Sequence, residues 1–239
     1  MSLITPLSPN IPIHHPARLS DNTPPERAAR KKRGVADISA RWPAGIITVA
    51  LDLKDKKSKA LVVDALKEWA HHTPDLRFEV VDGKQGDIRV SDDENIKGNW
   101  SDIGTDALWR DKNEPTLHLD RTENSKLFRA NALHEFGHAL GLLHEHQHPQ
   151  NTLQWNKQAV HDYFVSDAYP EEIVQRQVLD PVSGPNLQIT PYDPKSVMHY
   201  AFPAQLTENG HTGSENISLS KGDQEAIRRL YTPQITGAN

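Results

Sequence analysis

The stretch NALHEFGHALGLLHEHQHP, Asn131 to Pro149, constrains this 239-residue chain more than any other, because it holds five of the thirteen histidines. His134 and His138 are four residues apart, so on a helix both imidazoles leave one face, about one turn apart. That spacing lets two ring nitrogens reach one zinc ion at about 2.0–2.1 Å. Glu135 lies too near the first histidine to be the natural third ligand. It can still reach a water on the metal as general base, which is the geometry of H-E-x-x-H. Gly141 can adopt φ > 0 and end the helix sharply. The chain then turns back and His144 arrives as third ligand. His134, Glu135, His138, Gly141 and His144 complete the pattern H-E-x-x-H-x-x-G-x-x-H. Three neutral histidines with one open position describe a catalytic zinc site, not a closed structural one. His146 and His148 fall beyond the spacing that the turn explains and read as loop bystanders. His14, His15, His71, His72 and His118 receive no role.

A second signal lies downstream. The segment YDPKSVMHY, Tyr192 to Tyr200, contains Met198, one of two methionines. A Met-turn is the expected companion of the extended zinc motif, and Met198 would form a soft apolar floor beneath the ligands.

Composition removes other classes. The net charge of −5 leaves no electrostatic footprint for nucleic acid. No apolar run approaches a bilayer span. The absence of cysteine excludes disulfides, a thiolate metal site and a cysteine nucleophile. The N-terminus lacks the basic and apolar regions of a secretory signal peptide.

Residues 1–40 are rich in proline and carry the basic run RAARKKRG, Arg27 to Gly34. They are expected to form a tail, either a solvated linker or a pro-segment with a processing site. The domain of residues 41–239 should follow. GIITVALDL reads as its first strand. In KSKALVVDALKEWAHHT, Val62, Ala65, Leu66 and Trp69 fall on one helical face. LRFEVVD, GDIRVSD and EPTLHLD read as further strands, the last an edge strand where a peptide could dock by main-chain hydrogen bonds. A second long helix should start near Ser125 and carry the zinc motif on a core face that includes Leu133, Phe136, Gly137 and Leu140. Residues 150–218 are poor in regular pattern. A closing helix is signalled by Ser220 as N-cap, Asp223 in its first turn, and Arg228 and Arg229 near its end. The layout is α+β: one mixed twisted sheet, two long helices, an irregular C-terminal part and a C-terminal helix.

These residues resemble the metzincin zinc metalloproteases, and among them the astacin-like group. Glu145 directly follows the third histidine, as in astacins, and Ser196, Met198, His199 and Tyr200 match their S-x-M-H-Y turn. Matrixins lack that tyrosine, and the calcium repeats of serralysins are missing here. RWPAG, ALKEWAHHTPDLRFEVV, NWSDIGTDAL and LSKGDQEAIRRLY extend the likeness over roughly residues 40 to 233. The lack of cysteine and the segment HQHPQ depart from animal members and are similar to a microbial type.

The resemblance implies a zinc endopeptidase with one catalytic Zn2+ ion, acting on protein or peptide substrates, monomeric and exported by a route without a signal peptide. It implies that Tyr200 is a weak fifth ligand that swings to stabilise the tetrahedral intermediate. It also implies that a mature N-terminus, made by cleavage after Arg33, places Gly34 near Glu145, with Asp21 as a zinc-blocking carboxylate beforehand. Two other readings stay open on the residues alone: a catalytically silent zinc module that recognises peptides, and a zinc hydrolase of a non-protein amide.

Overall fold

The computed structural model describes residues 34–165, 170–210 and 216–232. The expectations placed on residues 1–33, including the proline-rich tail, Asp21, His14 and His15, lie outside the described residues.

Among the described residues, regular structure begins with strand β1 (Gly34–Asp37), ahead of the first strand expected from sequence. Strand β2 (Gly45–Asp52) follows and buries Ile47, Val49, Ala50 and Leu51. Helix α1 (Lys56–Ala70) starts where the Asp55 carboxylate accepts from the Lys57 and Ser58 amides, satisfying donors that have no partner within the helix. Its inward stripe is Val62, Ala65, Leu66 and Trp69, as the spacing predicts. Strands β3 (Leu76–Asp82), β4 (Ile88–Ser91), β5 (Trp100–Ser101) and β6 (Leu117–His118) complete a five-stranded sheet in the order β3-β2-β4-β6-β5. All neighbours are parallel except β5 and β6.

That order corrects one expectation. The strand in EPTLHLD is internal: β6 pairs with β4 on one side and with β5 on the other. Its sequence reads as a strand, but nothing local in it reveals that Trp100 and Ser101 return to cover it. The edge on this side belongs to β5, which also contacts the second long helix.

That helix, α2 (Ser125–Ala139), is capped by the Asn124 side chain, which accepts from the Lys126 and Leu127 amides. Every residue from Ala132 to Ala139 is buried, including His134, Glu135 and His138. A helix segment buried all round presents no face to solvent, so its second half runs through the interior rather than over it. Trp69 ties α1 to it by donating from Nε1 to the Leu133 carbonyl at 2.9 Å.

The C-terminal half has more regular structure than its sequence suggests. It contains α3 (Lys157–Phe164), α4 (Glu171–Val174), a π-helical turn at Gln175–Leu179 and strand β7 (Leu187–Thr190). These elements are too short for periodicity to reveal. Val160, Phe164, Val178, Phe202 and Leu206 form a second small core there. Strand β7 pairs antiparallel with β1, tying the start of the described chain to this half. Helix α5 (Lys221–Tyr231) closes the described chain with the expected Ser220 cap, extended to a full capping box by Asp223.

Candidate metal centre

The end of α2 builds the site. Gly141 has φ +94°, a left-handed conformation that favours glycine. The Gly141 amide donates to the His138 carbonyl at 2.8 Å and the Leu142 amide to the Gly137 carbonyl at 2.9 Å, the paired bonds of a Schellman turn. Trp42 Nε1 and the Tyr231 hydroxyl donate to the Ala139 and Leu140 carbonyls, so the last carbonyls of a buried helix are satisfied. The turn sends the chain back over the helix and delivers His144.

The three histidines converge. His138 Nε2 lies 3.1 Å from His134 Nε2 and 3.0 Å from His144 Nε2. All three rings are buried. A tetrahedral zinc ion with bonds of about 2.0–2.1 Å separates its nitrogen ligands by about 3.3 Å, so the spacing is close to what that ion needs. The outer nitrogens are already committed: His134 Nδ1 donates to the Val197 carbonyl and His138 Nδ1 to the Leu142 carbonyl, each at 2.8 Å. Those bonds put the protons on Nδ1 and leave Nε2 lone pairs facing one another, an arrangement that a cation relieves. Burial also lowers the His134 pKa to about 4, so the ring is neutral and ready to ligate at pH 7. The donor set therefore fits zinc, and the three form the one histidine or carboxylate cluster with metal-ligand spacing found among the described residues.

Glu135 is buried, and its Oε2 meets no hydrogen-bond partner. Burial pushes its carboxyl well above the usual range. An unpaired buried oxygen is costly, and a bound cation with its water answers both the charge and the missing partner. The Tyr200 ring stacks on His134 at 5.2 Å between centroids and lies 4.4 Å from His144. Burial first, then the nearby Glu135, holds its phenol protonated, hence able to donate.

Met198 packs beneath the helix at Gly137. A Cβ at that position would come within 2.3 Å of Met198 Sδ, so this glycine makes room for the floor of the site. Glu145 does not join the cluster of three histidines. Its amide donates to the Met198 carbonyl at 2.9 Å and its Oε1 accepts from the Asp193 amide at 2.6 Å. Burial, chiefly, pushes its carboxyl up to about 9. Glu145 shares the lining of a cavity of about 10 Å³ with Gly34, Asp193 and Asp223, enough for about one water.

Four residues around the site escape sequence reasoning in whole or part. Asp223, legible there only as a helix-terminal acid, is buried and holds the Met-turn. Its Oδ1 accepts from Ser196 Oγ at 2.5 Å, and its Oδ2 from the Val197 and Ser220 amides at 2.9 and 2.8 Å. Gly137 falls on the expected core face, but its lack of a side chain is what matters. His146 reads as a bystander, yet it is buried against Tyr200. His148 is buried too: Nε2 donates to the Thr190 carbonyl while Nδ1 accepts from the Gln150 amide. No spacing rule marks these residues, because each acts through a contact distant in sequence.

Comparison with known proteins agrees with this geometry. The family model for the astacin peptidases matches residues 34–231. The zinc metalloproteinase nas-7 of Caenorhabditis elegans is 27% identical over 216 residues, covering 84% of this chain and 50% of the relative. The chain thus spans about half the length of that curated relative. Among solved structures, myroilysin is similar with a TM-score of 0.77 at 30% identity, covering 84% of this chain and 100% of that one. High choriolytic enzyme 1, a hatching enzyme zinc-protease from the medaka Oryzias latipes, gives a TM-score of 0.52 at 18% identity, covering 81% and 94%, a likeness of fold. With the family model spanning nearly all of the described residues, the chain belongs to the astacin family of peptidases.

Proposed function

We propose that this chain is a zinc-dependent endopeptidase that hydrolyses peptide bonds of protein substrates. The observation that carries the reading is the convergence of three Nε2 atoms beside a buried glutamate whose Oε2 has no partner. His134, His138 and His144 would hold a zinc ion, which would supply a Lewis acid and lower the pKa of a bound water to about 7. Glu135 takes the proton of the attacking water and passes it to the leaving amine. Tyr200 donates a hydrogen bond to the oxyanion as it develops. Met198 and Gly137 keep the ligand helix seated, and Glu145 anchors the Met-turn.

A silent zinc module has no use for Glu135, and a hydrolase of non-protein amides would not cleave casein. Casein hydrolysis that a chelator stops and added zinc restores supports the endopeptidase reading. Zinc binding without hydrolysis would overturn it.

Strand β5 is the edge strand of the sheet that contacts α2, with β3 at the opposite edge, so an extended peptide would add at β5 by main-chain hydrogen bonds. Lengthening a peptide substrate should then lower KM. A KM indifferent to length would contradict this docking mode.

Residues 1–33 act as a pro-segment in this reading, removed by cleavage after Arg33. The support is that Gly34 and Glu145 line one cavity, where a new terminal ammonium would face a buried carboxyl. Mass spectrometry of the active form should give Gly34 as first residue, and an intact Met1 or Ser2 would refute it. The protein is proposed to work outside the cell as a monomer; a cytosolic pool in fractionated cells or a dimer mass in light scattering would count against this.

A further inference from the structure

We propose that His146 is a positioning residue for Tyr200, holding the plane of its phenol ring at the metal centre. The proposal rests on the reading of Tyr200 as oxyanion donor. His146 is 0% exposed. Its ring lies 4.8 Å from the Tyr200 ring, centroid to centroid, with 23° between planes. Phe202 meets the same imidazole edge-on at 5.1 Å.

The imidazole is itself tied down. Its Nε2 lies 3.2 Å from the Gln177 carbonyl in the π-helical turn. The next residue adds two more ties to that turn and its end, since Gln147 Nε2 donates to the Arg176 and Asp180 carbonyls at 2.7 and 2.9 Å. A π turn displaces the usual helical hydrogen bonds and is frequently found at functional sites. Here its carbonyls accept from the segment that follows His144. The smaller core of the C-terminal half is thereby connected through His146 to the face of Tyr200, which packs on that core.

Stacked aromatic rings attract one another beyond what their buried area contributes, so the imidazole favours a phenol ring that lies nearly parallel to its own plane. A phenol guided this way can move its hydroxyl toward or away from the reacting carbonyl without leaving the plane. A residue that held only the fold would affect substrate binding, zinc binding and turnover together. One that guides Tyr200 should affect turnover and only in the presence of the hydroxyl.

The test compares zinc-loaded wild type with His146→Ala, His146→Phe, Tyr200→Phe and the His146→Ala/Tyr200→Phe double variant. Steady-state kinetics on one peptide are measured beside calorimetric binding of a phosphinic peptide, a tetrahedral mimic. Tyr200→Phe should lower kcat by about 10²- to 10³-fold. His146→Ala should lower kcat by roughly three- to tenfold, weaken the phosphinic peptide by a similar factor, and leave KM within about twofold. His146→Phe, which keeps an aromatic face, should recover most of the loss. In the double variant, loss of His146 should cost nothing beyond Tyr200→Phe, the mark of coupled residues. Equal losses from His146→Ala in both backgrounds, or none in the wild-type background, would overturn the proposal. An unchanged kcat in Tyr200→Phe would instead overturn the role of Tyr200 itself.

Discussion

Removing the Asp223 carboxylate should loosen the metal centre from helix α5, which carries none of its histidines. Asp223 is 3% exposed and accepts from Ser196 Oγ and from the Val197 and Ser220 amides. Val197 in turn offers its carbonyl to His134 Nδ1. Asp223→Ala leaves two buried donors and one part-buried donor unmet. At the lower end of about 1–3 kcal/mol for each of the two buried donors, the loss is at least about 2 kcal/mol. With about 2–4 °C per kcal/mol for a domain of this size, Tm should fall by at least about 4–8 °C. Asp223→Asn keeps one oxygen and misplaces one group, so about 1–2 kcal/mol and a fall of about 2–8 °C are expected. Zinc affinity, read by competition with a chromophoric chelator, should drop by up to about tenfold in the alanine variant, because the orientation of His134 depends on the Val197 carbonyl. A fall in Tm below about 2 °C for Asp223→Ala, or equal effects of alanine and asparagine, would refute the claim that this carboxylate holds the Met-turn.

Other outcomes follow from the same contacts. Gly137→Ala gains about 1 kcal/mol of helix propensity but drives a Cβ against Met198 Sδ, an overpacking cost of about 1–3 kcal/mol; thermal melts should show net destabilisation, and a rise in Tm would contradict the packing. His148, whose pKa burial lowers to about 4, stays neutral in the fold while the unfolded chain protonates near about 6.5. The unfolded state thus binds more protons between those values, so the stability this residue contributes is complete above about pH 6.5 and is lost as pH falls toward about 4. Urea titrations should give a shallower pH slope for His148→Gln across that window, and an unchanged slope would exclude His148 as its source.

The convergence of three histidines is legible because helix periodicity and one turn determine it: His134 and His138 share a face, and Gly141 reverses the chain. The two long helices and the closing one are legible for the same local reasons, with Ser220 the expected N-cap of the last. What stays hidden depends on contacts remote in sequence. The edge position of β5 follows from pairing Trp100 with His118, which two residues of strand cannot announce. The Asp223 bond to Val197 spans 26 residues, and Gly137 matters only because Met198 arrives beneath it. The histidines after His144 read as surplus in a loop, yet His146 and His148 are fully buried; His148, with both ring nitrogens hydrogen-bonded, packs as a core ring.

The proposed mechanism requires that Glu135 move protons at a zinc site it does not help to bind. The most direct test is Glu135→Ala, with zinc content measured by atomic absorption and casein hydrolysis measured on the same sample. One zinc per chain with nearly all hydrolysis lost is the predicted result. Near-normal hydrolysis, or loss of the metal together with the activity, would contradict it.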